Sequence, residues 1–222
     1  MKKDARHSWI DLPFSGVECS VEPVCDDAAG IAVIPRQTHT CNVAVVHDGS
    51  DGTRKLFADT DALVTTVPGL AIGVRTADCV PVLIFAPDVP AVAAVHAGWK
   101  GSLGGIVDNA VKELSALGAS PALMKAAMGP CICGECYEVS PDLAALFTEA
   151  GFGGCVTHPS TGTNPHLDLP EVNRQRLLRL GVPDSGIAMP SACTKETGAL
   201  PSWRRQPGIT DRLLTWIRLT TD

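Results

Sequence analysis

Val80-Pro81-Val82-Leu83-Ile84-Phe85 and Ala91-Val92-Ala93-Ala94-Val95-His96, separated by a segment carrying Pro87 and Pro90, decide the fold class of this chain. Both runs are apolar, rich in valine and isoleucine and bounded by turn formers, which is the pattern of buried strands. After His96 the period changes. Leu103, Ile106, Val107, Ala110, Val111, Leu114 and Leu117 fall at steps of three and four, and Gly118 closes the series. That spacing predicts an amphipathic helix with a glycine stop.

Upstream, Ala62 to Thr66 and Leu70 to Arg75 read as two further strands split by Pro68-Gly69. Ile31 to Ile34 and Asn42 to Val46 read as strands flanking the connection that carries His39, with Asp48-Gly49-Ser50-Asp51-Gly52 as a turn-rich loop. Val17 to Val24 carries a weaker strand pattern, suited to an edge element or an arm. Downstream, Pro141 to Ala150 suits a helix. A further helix starts near Pro170, in the position where proline fits a first helical turn, and runs to Leu180 before Gly181. Strands gathered in the centre with helices between and after them predict an α+β class: a single domain over residues 1–222, with mixed β-sheets covered by helices.

Composition narrows the function. The 222 residues are 45% hydrophobic and 19% charged, with a mean hydropathy of +0.15, enough apolar material for one core. A net charge of −6 and a pI near 5.5 argue against a nucleic-acid surface and for a small-molecule partner. No run approaches the ~18 apolar residues of a membrane span, and the first nine residues do not lead into a signal-like apolar stretch, so the expected location is the cytoplasm with no membrane partner. The nine cysteines are odd in number and lack a secretory context, so most are expected as free thiols. Cys19, Cys25, Cys41, Cys155 and Cys193 stand alone among apolar or small residues and read as inert buried thiols.

The chemistry gathers where strands run into turns. Cys79 follows Asp78, a carboxylate that is costly to bury without a partner, and His96 ends an apolar strand before small residues. With His39 they offer one thiolate and two imidazoles, a set that suits zinc and leaves a fourth position open. The same residues allow two other readings. Cys79 as nucleophile with His96 as base describes a cysteine hydrolase or deamidase. Two histidines and a cysteine also describe the copper centre of an oxidase, although oxygen reduction needs further copper ions.

Gly98, Gly101, Gly104 and Gly105 make a glycine-dense turn before the helix, readable as an anion cradle assisted by Lys100 or as a plain tight turn. It is not the dinucleotide fingerprint. Cys131-Ile132-Cys133-Gly134-Glu135-Cys136 contains a C-x-x-C, yet no second C-x-x-C is present to complete a four-ligand zinc site.

Several segments together resemble the YfiH/laccase-domain family: Gln37-Thr38-His39, Asp61-Ala62-Leu63-Val64-Thr65, Thr76-Ala77-Asp78-Cys79-Val80-Pro81, Val95-His96-Ala97-Gly98-Trp99-Lys100-Gly101, Gly129-Pro130-Cys131-Ile132, Cys136-Tyr137-Glu138-Val139, Trp203-Arg204-Arg205 and Thr210-Asp211-Arg212. The resemblance runs from about Ile31 to the C-terminus. It implies a YfiH-like fold and a zinc-dependent purine nucleoside phosphorylase, of a group formerly labelled multicopper polyphenol oxidoreductases. It implies phosphorolysis of adenosine, inosine, guanosine and S-methyl-5'-thioadenosine, with adenosine deaminase activity beside it, and zinc ligands at His39, Cys79 and His96.

Purine nucleoside and phosphate are then the expected partners, with water or phosphate at the open zinc position. Arg75, Lys100 and Arg205 are the candidate cations for the phosphate. No oligomeric state is implied. Two positions depart from the family pattern: residues 1–30 are divergent and carry no Thr-Arg-x-Gly-Gly motif, and Thr40 follows His39 where glycine is usual. A chain disabled by the first departure would be a non-catalytic binding module.

Overall fold

The structure is a computed structural model, describing residues 15–24, 32–47, 57–160 and 163–221. In chain order its elements are β1 (Val17–Val24), β2 (Val43–Val46), β3 (Ala62–Thr65), β4 (Ile72–Thr76), β5 (Val80–Ala86), β6 (Ala91–Ala97), α1 (Trp99–Gly104), α2 (Ile106–Ala116), β7 (Lys125–Met128), α3 (Pro141–Phe147), β8 (Val156–Thr157), β9 (His166–Leu167), α4 (Leu169–Arg179), β10 (Ile187–Ala188) and β11 (Arg212–Leu219).

A six-stranded mixed sheet in the order β10-β7-β5-β6-β3-β2 forms the centre, and a three-stranded antiparallel sheet in the order β1-β11-β4 lies beside it. Strands β5 and β6 pair antiparallel through seven residues, with Val82 opposite Val95 and Ile84 opposite Ala93. They are buried on both faces, which is why their sequence runs apolar without alternation. Val82, Ile84, Ala93 and Val95 pack with the helices, whereas Leu83, Phe85, Val92 and Ala94 pack toward β4 and β11. Helices, large sheet and small sheet therefore form three layers with two apolar seams. Truncating Leu83 or Ile84 to alanine, both essentially inaccessible, is expected to cost about 2–5 kcal/mol.

Both predicted helices downstream form. Ser140 caps α3 by accepting from the Leu143 N–H, and Asp168 caps α4 by accepting from Glu171, each with a proline in the first turn. The predicted helix after His96 is broken in two. Gly105 sits at φ +86, a left-handed conformation that ends α1 and starts α2. Carbonyls freed near that break are taken up from outside: Arg176 of α4 donates to Ser102 O and Leu103 O and pairs with Asp108.

Other expectations shift. In the region read as a strand over Ile31 to Ile34, Val33 makes only an isolated bridge to Ile72, and Ile31 lies outside the described residues. The Asp48 to Gly52 turn and Cys25 also lie outside them. The segment read as Leu70 to Arg75 becomes β4, which joins the small sheet rather than its neighbours in sequence. No described helix is long and apolar enough to cross a membrane.

Candidate metal centre

The ends of β6 and β3, the turn before β5 and the loop before β2 meet at one point. His96 is the penultimate residue of β6, Cys79 immediately precedes β5, and His39 sits at φ +61 in the loop leading to β2. Their potential ligand atoms all lie within 4.8 Å of one another. The two imidazole rings stand edge-on, with centroids 4.9 Å apart at 75°, and Cys79 Sγ is 4.0 Å from His39 Nε2. Gly98 makes this crowding possible, since a Cβ there would lie 3.0 Å from His39 Cδ2 and 3.1 Å from Cys79 Sγ.

Asp61 organises the cluster from below. Its fully buried carboxylate accepts from the main-chain N–H groups of Thr38, His39 and Thr40, from the Thr40 hydroxyl at 2.8 Å, and lies 2.7 Å from His96 Nδ1. One side chain thus fixes the loop bearing His39 and leaves His96 Nε2 as the nitrogen available to a ligand. Burial alone would raise the Asp61 pKa, but His96 and the Thr40 donors outweigh it and hold the carboxyl well below the usual range.

The cluster also sets the charge of the thiol. Burial pushes Cys79 up, yet the neighbouring His96 and His39 bring it down to about 6, so the thiolate is accessible at neutral pH. Burial pushes His96 down, while the charges of Cys79 and Asp61 lift it to about 9. A ready thiolate, two imidazoles within ligand distance of one another and a carboxylate behind one imidazole fit a divalent zinc ion in donor chemistry and number.

Asp78 supplies the polar purpose its burial demanded. It sits at φ +89, accepts from the Thr194 hydroxyl at 2.6 Å and the Arg204 N–H at 2.7 Å, and its carbonyl accepts from Ile132 N–H. The turn presenting Cys79 is therefore tied to two distant segments.

A cavity of about 760 Å³ opens over the three side chains. Arg36, Arg75, Arg204 and Arg212 reach it, together with Tyr137 and Trp203. The Arg204 guanidinium lies 5.0 Å over the Tyr137 ring and donates to Glu138 O. Of the three cations expected from sequence, Arg75 lines the cavity, its main chain held by Gln37 through two hydrogen bonds of 2.8 Å.

Lys100 is exposed on α1, its Nζ 5.5 Å over Trp99, and is not among the cavity-lining residues. Arg205 instead spends its guanidinium on the carbonyls of Thr194, Lys195, Thr197 and Leu200. The glycine-dense turn works as tight packing: α1 is only six residues long, and Gly101 and Gly104 would meet Ile106 and Cys41 if they carried a Cβ.

Asp61, Arg36, Arg204, Arg212, Tyr137 and Trp203 carried no assigned role in the sequence reading. A carboxylate directly before an apolar strand was the available signal for Asp61, since such a group needs buried donors. For the others the signal lay only in the family words around them.

The family described as multi-copper polyphenol oxidoreductase laccase matches residues 20–220. The chain belongs to this family. A purine nucleoside phosphorylase of Deinococcus radiodurans is 38% identical over 205 residues, covering 89% of this chain and 78% of that protein. Adenosine deaminase RL5 from an unknown prokaryotic organism is 39% identical over 171 residues, 73% of this chain, and this chain spans 65% of its length. The crystal structure of Bacillus licheniformis hypothetical protein YfiH superposes with a TM-score of 0.78 at 32% identity, covering 85% of this chain and 74% of that one. The mixed sheets and helices described above are those of this laccase-domain fold.

Proposed function

We propose that the chain is a zinc-dependent purine nucleoside phosphorylase whose ion is held by His39, Cys79 and His96. The observation that carries the reading is the convergence of these three side chains at the base of a cavity edged by four arginines and two aromatic rings. At about 760 Å³ the cavity is within the ~300–1,000 Å³ range of small-molecule sites and has room for a nucleoside beside phosphate. Relatives named purine nucleoside phosphorylase and adenosine deaminase support the substrate class. Adenosine, inosine, guanosine and S-methyl-5'-thioadenosine are the substrates expected.

When bound, zinc supplies Lewis acidity at the base of the cavity. The chain does the rest. Asp61 keeps His96 in one tautomer and orientation and holds the His39 loop closed on it. Arg75, Arg204 and Arg212 bring positive charge to the region where phosphate and the developing charge of the ribose–base cleavage would meet. Tyr137 and Trp203 offer π faces to a purine, the first backed by Arg204.

Zinc-loaded protein given inosine or adenosine with phosphate should release free base and ribose 1-phosphate, read by chromatography. Absence of any product across the four nucleosides would reject the reading. Ammonia release from adenosine without phosphate dependence would move it to deamination. The lowered Cys79 thiol beside a protonated His96 favours one alternative, a cysteine nucleophile whose proton already rests on the imidazole. His39→Ala separates the two, since a thiol hydrolase keeps its activity without that side chain whereas a three-ligand zinc enzyme does not.

A further inference from the structure

The C-x-x-C that lacked a partner in the sequence has one in space. Cys133 precedes and Cys136 ends the 3-10 turn Gly134–Cys136, and Cys193, 60 residues away in sequence from Cys133, comes to the same place with Glu196. Their ligand atoms all lie within 4.8 Å of one another. Cys193 therefore does not stand alone, as the sequence suggested. We propose that Cys133, Cys136, Cys193 and Glu196 form a second, structural metal site that binds zinc, separate from the centre under the cavity.

Donor chemistry argues for zinc. Three thiolates select soft or borderline ions over magnesium or calcium, and a carboxylate oxygen completes a tetrahedral set with no position left for substrate. Zinc–sulfur bonds of about 2.3 Å put tetrahedral sulfurs about 3.8 Å apart, so side chains already within 4.8 Å need only rotamer-scale adjustment. The main chain is arranged for it as well. Cys193 Sγ accepts from the Cys133 N–H at 3.3 Å. Donors of this kind offset the negative charge that three thiolates leave on a divalent ion.

The backbone frames the site independently of the thiols. Cys131 and Cys193 form a parallel bridge, the Thr194 N–H donates to Cys131 O at 2.9 Å, and Arg205 braces the carbonyls of the Cys193 to Leu200 turn. An ion here would staple two segments that both serve the cavity. One continues into Tyr137, on the cavity wall, and the other carries Thr194, which holds Asp78 beside Cys79. Its role is structural: it closes a long loop and stiffens the wall without touching substrate.

Metal analysis of protein purified under reducing conditions, loaded with zinc and desalted, tests the proposal. Wild type is expected to hold two zinc ions per chain. Cys79→Ala, which leaves the second cluster intact, is expected to hold one, and its cobalt-loaded form to show thiolate-to-cobalt charge transfer. Cys193→Ser is expected to hold one zinc, at the cavity centre, and to melt several degrees lower than wild type.

Should Cys193→Ser fail to fold, the Cys79→Ala measurement still decides. Retention of zinc there, lost on adding Cys136→Ser, supports the second site even if the cavity centre proves metal-free. One zinc in wild type and none in Cys79→Ala overturns it. Peptide mapping that finds a disulfide among Cys133, Cys136 and Cys193 in protein purified anaerobically also overturns it.

Discussion

Among the described residues, His39, Cys79 and His96 form one ligand cluster, and Cys133, Cys136, Cys193 and Glu196 form a second. Each could grip a single ion, but they differ in number of donors, in charge and in setting. The first has three donors, faces a cavity of about 760 Å³, and is backed by a buried carboxylate that orients the His96 imidazole and holds the His39 main chain. The second has four donors and joins two loops. In the first, imidazoles lower the thiol, so the cluster carries its own compensating charge. In the second, no imidazole is present, and burial is the largest cause that raises Cys133 and Cys136. An open, self-compensated triad is suited to chemistry, whereas a four-ligand thiol cluster is suited to holding loops together.

Removing a ligand from the first cluster should produce the largest change. Cys79→Ala is expected to lower phosphorolysis by about a thousandfold or more, since Lewis-acid stabilisation contributes several kcal/mol. Steady-state kinetics with inosine, run beside zinc analysis, reads both losses. Activity retained with one fewer zinc would reverse the roles of the two clusters.

Asp61→Asn should come next. The isosteric amide keeps the shape but turns an NH2 toward donors that now face an acceptor: the N–H groups of Thr38, His39 and Thr40. Competition with a chelator is expected to show zinc binding weaker by about 10- to 100-fold. Stability gives a second reading. The Asp61 pKa is depressed in the folded state, so its contribution is complete above the unfolded carboxylate value near 4 and is lost as pH falls toward the lower folded value. Urea unfolding of metal-free wild type and Asp61→Asn should thus differ most at neutral pH and converge below about pH 4. A gap that widens in acid would mean that His96, not Asp61, dominates the linkage.

The unequal legibility of the two clusters in sequence has a physical basis. His39, Cys79 and His96 each stand at the end of an apolar run, where a polar side chain is conspicuous, and the central strands β5 and β6 announce themselves by continuous hydrophobicity. Cys193 is in a loop far from the C-x-x-C, and only the bridge to Cys131 brings it near. Strand β7 was hidden by its composition, since Lys125-Ala126-Ala127-Met128 has little β preference, and it forms because it is covered on both faces. Strand β11 owes its pairing to β1, at the opposite end of the described chain, a contact no local pattern encodes. The break at Gly105 was likewise non-local, because it depends on Arg176 arriving from α4.

Arg204→Ala probes the wall shared by the two regions. Its side chain stacks on Tyr137 and its main-chain N–H binds Asp78, so only the side-chain role is removed by the substitution. A charge-assisted contact to substrate implies about a tenfold rise in KM with a smaller change in kcat. A fall in kcat alone would instead put the guanidinium on the transition state. Cys193→Ser should do less to catalysis, leaving kcat/KM within about threefold while lowering the melting temperature, because the second cluster supports the wall from behind.

The smallest effect is expected at Lys100. Its ammonium lies beside the glycine-dense turn, readable in the sequence as an anion cradle or as a plain tight turn, but it is exposed, rests 5.5 Å over Trp99 and does not border the cavity. The cations that do border it approach from other elements: Arg36 from the His39 loop, Arg75 from β4, and Arg204 and Arg212 from the C-terminal segment. Lys100→Ala is therefore expected to leave the phosphate KM unchanged and stability within about 0.5 kcal/mol, as for an ordinary surface substitution. A tenfold rise in that KM would place phosphate against α1. The arginines would then serve the nucleoside, and the cavity would have to be read with its two substrates exchanged.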